Sequence, residues 1–175
     1  MQLFIKQKVL SFNDQFTVYD SNQQVLYRIR GELLSLGKKL HITTDDGREI
    51  ALVTQKLLTY RPRFLVYIGG RRVAQIIREM TLMIPKYDVI GPGWRVKGDF
   101  LNHNYEIFGR RNSSIARITK KWLSWGDTYC IDVPNPSDTI LAMCVALTID
   151  CVDAERQASQ AQASMTAGDE AAGDK

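Results

Sequence analysis

The stretch that most limits what this chain can fold into lies near its end, in "NPSDTILAMCVALTIDCVDAE". Residues 140–147 include no charged or strongly polar side chain. Asn135, Pro136 and Asp138 make a helix entry: an Asn cap, a proline at the first helical position, and an acid facing the positive end of the dipole. Beyond them apolar residues fall on every side. That excludes an amphipathic surface helix and leaves a membrane span or a core helix. The stretch from Thr139 to Val152 is about 21 Å long at 1.5 Å per residue, and a span needs about 20 residues. Asp150 and Asp153 close its far side. The length predicts a core helix.

Something must surround that helix, and the preceding chain has the texture for it. Between Leu3 and Val133, about twelve short runs rich in Val, Ile, Leu and aromatics alternate with turn chemistry such as "DSNQQ", "TTDDG", "IGGRR" and "GPG". In "VLYRIRG", Val25, Tyr27 and Ile29 face one way and Arg28 and Arg30 the other. This spacing suits an all-β barrel or sandwich. Asp46-Gly47 and Gly69-Gly70 suit two-residue primed hairpin turns.

The chain also overlays on itself. Tyr27, Gly31 and Glu32 meet Trp94, Gly98 and Asp99 at one shift. After a two-residue deletion, Ile42, Ile50, Ala51, Val53, Lys56 and Leu58 meet Ile107, Ile115, Ala116, Ile118, Lys121 and Leu123. Two copies of a strand meander predict a pseudo-symmetric sheet. Closing about twelve strands leaves a hole that one helix, about 10–12 Å across, fills. The expected fold is therefore mainly β: a closed, roughly twelve-stranded antiparallel barrel of two pseudo-repeats around a buried C-terminal hydrophobic helix. The barrel domain is expected over residues 1–155, with its central helix at about 136–155 and a flexible Ala/Gln/Ser-rich acidic tail at 156–175.

Charge is unevenly spread. The net +4 divides into −3 after Cys151, where Arg156 and Lys175 face five carboxylates, and +7 on residues 1–151. A basic body attracts anionic lipid, nucleic acid or acidic proteins. Cys130, Cys144 and Cys151 are odd in number and lack metal-ligand spacing, so they read as reduced, buried thiols and point to a cytoplasmic setting. Lys6 and Lys8 interrupt any signal-peptide apolar region, so a leader is not expected.

Motifs for chemistry are absent. His41 and His103 occupy unmatched positions in the two repeats and read as surface strand histidines, so no metal site is expected. "TTDDG" lacks the alternating oxygen ligands of a calcium loop. Neither the phosphate-loop pattern nor a serine nucleophile elbow occurs. Glu32 and Asp99 fall at equivalent repeat positions, but solvated strand ends explain them. No catalytic residue and no cofactor is expected.

With "GREIALVTQK", the pair "YRIRG" and "WRVKG", and "ILAMCVALTID" followed by an acid, the sequence resembles the LURP-one-related family of the tubby C-terminal-like superfamily over residues 1–155. The resemblance implies a closed twelve-stranded barrel around a C-terminal hydrophobic helix. It also implies kinship in fold with tubby domains, which bind phosphoinositides, and with phospholipid scramblases. The acidic calcium-linked segment of scramblases has no clear counterpart here, and the phosphoinositide-binding positions of tubby domains do not map onto this chain residue by residue.

The basic pairs beside turns carry the functional expectation. If turns cluster at one barrel end, Arg61, Arg63, Arg71 and Arg72 form a site for a phosphate-bearing headgroup, with bidentate guanidinium contacts. The leading reading is a non-enzymatic barrel that binds anionic phospholipid headgroups or a similar phosphate-bearing ligand at the cytoplasmic membrane face. The alternatives are a protein-interaction scaffold and, lower, single-stranded nucleic-acid binding through Trp94, Trp122 and Trp125.

Overall fold

Every strand of this protein pairs antiparallel with its neighbours in sequence, and the last pairs back onto the first. The computed structural model describes residues 1–6, 15–32, 37–79, 85–123 and 126–172. The strands are β1 (Gln2–Lys6), β2 (Gln15–Tyr19), β3 (Val25–Gly31), β4 (Lys39–Thr44), β5 (Glu49–Lys56) and β6 (Arg63–Ile68). The second half supplies β7 (Arg71–Glu79), β8 (Lys86–Ile90), β9 (Trp94–Asp99), β10 (Asn104–Phe108), β11 (Ser114–Leu123) and β12 (Gly126–Asp132). Pairing of Leu3 with Ile131 closes the barrel between β1 and β12. The barrel expected from the sequence is the fold observed.

Closure follows from period-two patterning. Every strand contributes an inward aliphatic residue no more than 1% exposed, among them Leu3, Ile29, Ile42, Val66, Ile107 and Ile131. These pack in one cluster with Ala142, Met143, Val145, Ala146 and Ile149 of the helix. A helix apolar all round is stable in water only when enclosed, and the twelve inward faces enclose it. Residues 142–147 are at most 4% exposed.

The overlay of the chain on itself has a structural counterpart in the sheet. The register of β4 against β5 slips between Ile42 and Thr43, and that of β10 against β11 slips between Ile107 and Phe108. Ile42 and Ile107 are aligned in the overlay, so the two halves bend at the same point. Bulges of this kind bend a strand and increase its twist. The repeat fails at its glycines. A Cβ on Gly31 meets nothing nearer than 4.0 Å, whereas on Gly98, at φ +140°, it would lie 2.5 Å from the Tyr105 Cα.

Two local expectations are corrected. Gly69-Gly70 is a two-residue turn with both φ positive, as primed turns require. The Asp46-Gly47 turn is longer: Gly47 N–H donates to Thr44 O and Thr44 N–H to Arg48 O, so Asp45, Asp46 and Gly47 all lie in the loop. Second, Asn135 caps a 3-10 turn, Pro136–Asp138, by accepting from the Ser137 N–H. The α-helix α1 follows as Thr139–Ala172. Beyond the barrel, Arg156, Gln157, Ser159 and Gln160 are exposed. Among the described residues no helix is long and apolar enough to cross a membrane.

Up-and-down connectivity gives the barrel two distinct ends. The entrance end, where α1 begins, has the β2–β3, β4–β5, β6–β7, β8–β9 and β10–β11 turns. The exit end, where α1 leaves, has the β3–β4, β5–β6 and β9–β10 connections, among others. Lys38 Nζ reaching Cys151 O and His103 meeting Asp150 place residues 150–153 at the exit end.

Candidate functional site

The exit end combines a closed polar cluster with a basic, apolar-tipped rim. In the cluster, Asp150 accepts hydrogen bonds from two barrel elements. Its Oδ1 lies 3.0 Å from His103 Nε2, and its Oδ2 accepts from the Tyr129 hydroxyl. The His103 ring stacks on Tyr129, with centroids 4.5 Å apart and planes 18° apart. His103 reaches this position from the β9–β10 turn with φ +48° and is 7% exposed. The surface strand histidine expected there is instead a buried turn residue. The expectation failed because its partner lies 47 residues away in sequence.

Around that bond the cluster is incompletely satisfied. The Tyr87 and Tyr105 hydroxyls and Asp153 Oδ1 are buried without a hydrogen-bond partner among the described residues. Burial, reinforced by the Asp150 charge, raises the Asp153 carboxyl above its ordinary value, against the opposing pull of Arg78 and Arg156. Burial raises the Tyr105 and Tyr129 phenols well above theirs, with the Asp150 charge adding to it. Imidazole, carboxylate and phenol together are groups that acid–base catalysis uses. Here they are packed against the core, with Tyr129 1% exposed, and they fasten the helix to the wall.

The residues weighed for chemistry elsewhere are likewise in partnerships. Lys39 Nζ donates to Glu32 at 2.9 Å, and His41 lies 2.6 Å from Glu32 through one ring nitrogen and 2.6 Å from Glu49 through the other. Asp99 accepts from Asn102. Hydrogen bonds from these partners hold the Glu32 and Asp99 carboxyls below their ordinary values, opposite to the shift a general acid needs. Among the described residues no group of three or more His, Cys, Asp or Glu is placed to hold a metal ion. Cys130, Cys144 and Cys151 are all buried, and none is in a disulfide among the described residues.

The four arginines do not come together. Arg61 and Arg63 flank the start of β6 at the exit end, whereas Arg71 and Arg72 begin β7 at the entrance end. Arg63 is opposite Ile77, and Arg71 is opposite Ile68. Those positions are five residues of β6 apart, about 17 Å at 3.3 Å per residue. Arg61 is paired with Glu79. Arg63 stands directly across from Lys56, and its buried Nε has no hydrogen-bond partner among the described residues. Two like charges directly opposite on adjacent strands repel.

Between Lys56 and Arg63 the chain exposes large apolar side chains. Leu57 is 44% exposed, Leu58 106% and Tyr60 87%. The Thr59 hydroxyl bridges this loop to Lys56 O and Arg61 O, and Pro62 O accepts from the Arg78 N–H. The sequence showed the cations here but not the apolar tip, whose exposure follows from β5 ending at Lys56.

Other surface features offer less. A groove of about 400 Å³ on the outer wall is lined by Ile77, Asp88, Trp94, Arg95 and Arg110 among others, and Arg95 is already bonded to Asn112. Trp94 is 6% exposed, with its face in the core, which removes it as a base-stacking platform. The Trp122 side chain and Trp125 lie outside the described residues.

A model of the family described as LURP-one-related matches residues 1–150. "Uncharacterized protein YxjI" of Bacillus subtilis strain 168 is 32% identical over 152 residues, covering 87% of this chain and 93% of that protein. The X-ray structure of an Arabidopsis thaliana protein, AT5G01750, superposes with a TM-score of 0.64 at 18% identity. It covers 87% of this chain and 90% of the other, a likeness of fold.

Proposed function

This chain belongs to the LURP-one-related family, and we propose that it is a non-catalytic barrel binding anionic phospholipid headgroups at the cytoplasmic face of a membrane. The binding surface is the exit-end rim around Lys56, Arg61 and Arg63. The observation that carries this reading is the Lys56–Arg63 opposition. Neither side chain has an ion pair among the described residues, and a phosphate between them would relieve the repulsion while giving the guanidinium a bidentate partner. Arg71 and Arg72, at the other end, belong to no common site with them.

The non-catalytic reading is supported by the state of the acid–base groups: His103 and Tyr129 are buried with Asp150 bonded to both, and hydrogen bonds from their neighbours hold the Glu32 and Asp99 carboxyls below their ordinary values. Three buried cysteines without a disulfide among the described residues support a reducing compartment.

Co-sedimentation with phosphatidylcholine vesicles, with and without phosphatidylserine, tests the reading. Binding should require the anionic lipid and weaken as salt rises. Lys56→Gln with Arg63→Gln should reduce it by about fivefold per charge, and Arg71→Gln with Arg72→Gln should leave it intact. Equal binding to both vesicle types, or none, overturns it.

A further inference from the structure

We propose that the β5–β6 loop, residues 57–62, is a membrane-insertion tip whose Leu57, Leu58 and Tyr60 side chains enter the headgroup–acyl boundary of an anionic bilayer. The inference rests on the anionic-surface reading above and adds the apolar contact by which the protein would hold that surface.

Exposure is the first ground. A single exposed leucine is ordinary on a soluble protein, but here three large apolar side chains share one six-residue loop, with Leu58 at 106% and Tyr60 at 87%. The second ground is backbone conformation. Leu58 has φ +54°, in the left-handed region that residues with a Cβ seldom adopt, and its side chain gains no packing within the fold in return. Strain of this kind is concentrated at binding sites and clamps.

Third, the loop is held in shape. The Thr59 hydroxyl bonds to carbonyls on both sides of the tip, at 3.2 and 2.7 Å, and the Pro62 carbonyl is anchored to β7. A tip fixed before contact loses little conformational entropy on binding.

Chemistry selects the occupant. The apolar residues stand exposed in the loop, and the cations Lys56 and Arg63 stand at its base beside the Arg61–Glu79 pair. Such a layering matches a bilayer, where headgroup phosphates meet the base and the acyl boundary meets the tip. Tyr60, with an apolar ring and a polar hydroxyl, is a residue type enriched at that interface.

The test uses the full chain with Leu58→Cys carrying an environment-sensitive fluorophore, since the three native cysteines are buried. A control label at Asp46→Cys reports from the entrance end. With phosphatidylserine vesicles the label at position 58 should shift to the blue and be quenched by brominated acyl chains, while the label at 46 stays in water. Replacing Leu57, Leu58 and Tyr60 together by Ser should lower vesicle affinity by about tenfold or more and leave the salt dependence in place. Sedimentation with vesicles while the label at 58 remains in water overturns insertion and leaves the anionic reading standing. Absence of sedimentation overturns both. Shielding of the label at 58 that needs only higher protein concentration, without lipid, makes the tip a protein–protein contact and also overturns the proposal.

Discussion

His103 on the barrel wall and Asp150 on the central helix meet at 3.0 Å across the exit end. This contact fixes how far the helix is drawn into the barrel. Lys38 Nζ, 3.0 Å from Cys151 O, does the same from the β3–β4 connection. Aliphatic packing alone is non-directional, so a smooth apolar helix in a smooth apolar bore needs polar contacts to set its depth and rotation.

Replacing Asp150 by Ala should therefore cost about 2–4 kcal/mol, because the buried Tyr129 hydroxyl and His103 both lose their acceptor. His103→Ala should cost less, since Tyr129 keeps its bond. The double substitution should be less destabilising than the sum of the two, by at least about 0.5 kcal/mol. Urea unfolding of the four proteins reads the coupling, and strict additivity would count against a lock.

Asp153 should behave oppositely. Its folded-state value is raised above the ordinary 3.8 by burial and by Asp150, so the folded protein binds this proton more tightly than the unfolded chain does. The ionised carboxylate therefore opposes folding above its raised value, and the penalty disappears as pH falls to the unfolded value. Asp153→Asn should be more stable than the parent at pH 7, with the difference shrinking toward pH 4. Parallel denaturant melts across that range measure it; a variant less stable at pH 7 contradicts the expectation.

The two repeat glycines should respond differently to one methyl group. Gly98→Ala forces a Cβ to within 2.5 Å of backbone at φ +140° and should destabilise by about 3 kcal/mol or more. Gly31→Ala, with 4.0 Å of clearance, should be neutral or mildly stabilising. Thermal melts of both variants decide it.

Position along α1 should matter equally sharply. Ala146 is fully buried, and Ala146→Asp should abolish folding by placing an unpaired charge among core side chains. Removal of residues 160–175, beginning where the helix is exposed, should move the melting temperature by no more than about 2 °C. Circular dichroism melts test both, and a large loss on truncation would mean that the distal helix packs on the barrel.

Much of the architecture was legible in the residues. The all-round apolar run at 140–147 required an enclosure, and the matched pattern around Ile42 and Ile107 required two similar halves. The separation of the arginines was also legible: in an up-and-down meander, turns separated by one strand lie at opposite ends, so Arg61 and Arg71 stand at different ends of the barrel. Other features were not legible. The burial of His103 depends on Asp150, distant in sequence, and the exposure of Leu58 depends on where β5 stops.

The order of elements along the chain also sets an order in time. Synthesis proceeds from the N-terminus, so all twelve strands leave the ribosome before the helix that fills them. Until α1 emerges, the inward faces of Leu3, Ile29 and Ile42 have no centre to pack against, and β1 must wait for β12, pairing Leu3 with Ile131. The nascent sheet therefore carries exposed apolar surface for most of its synthesis, the condition in which chaperones act. A helix made after all twelve strands is the one that lets the first of them become buried.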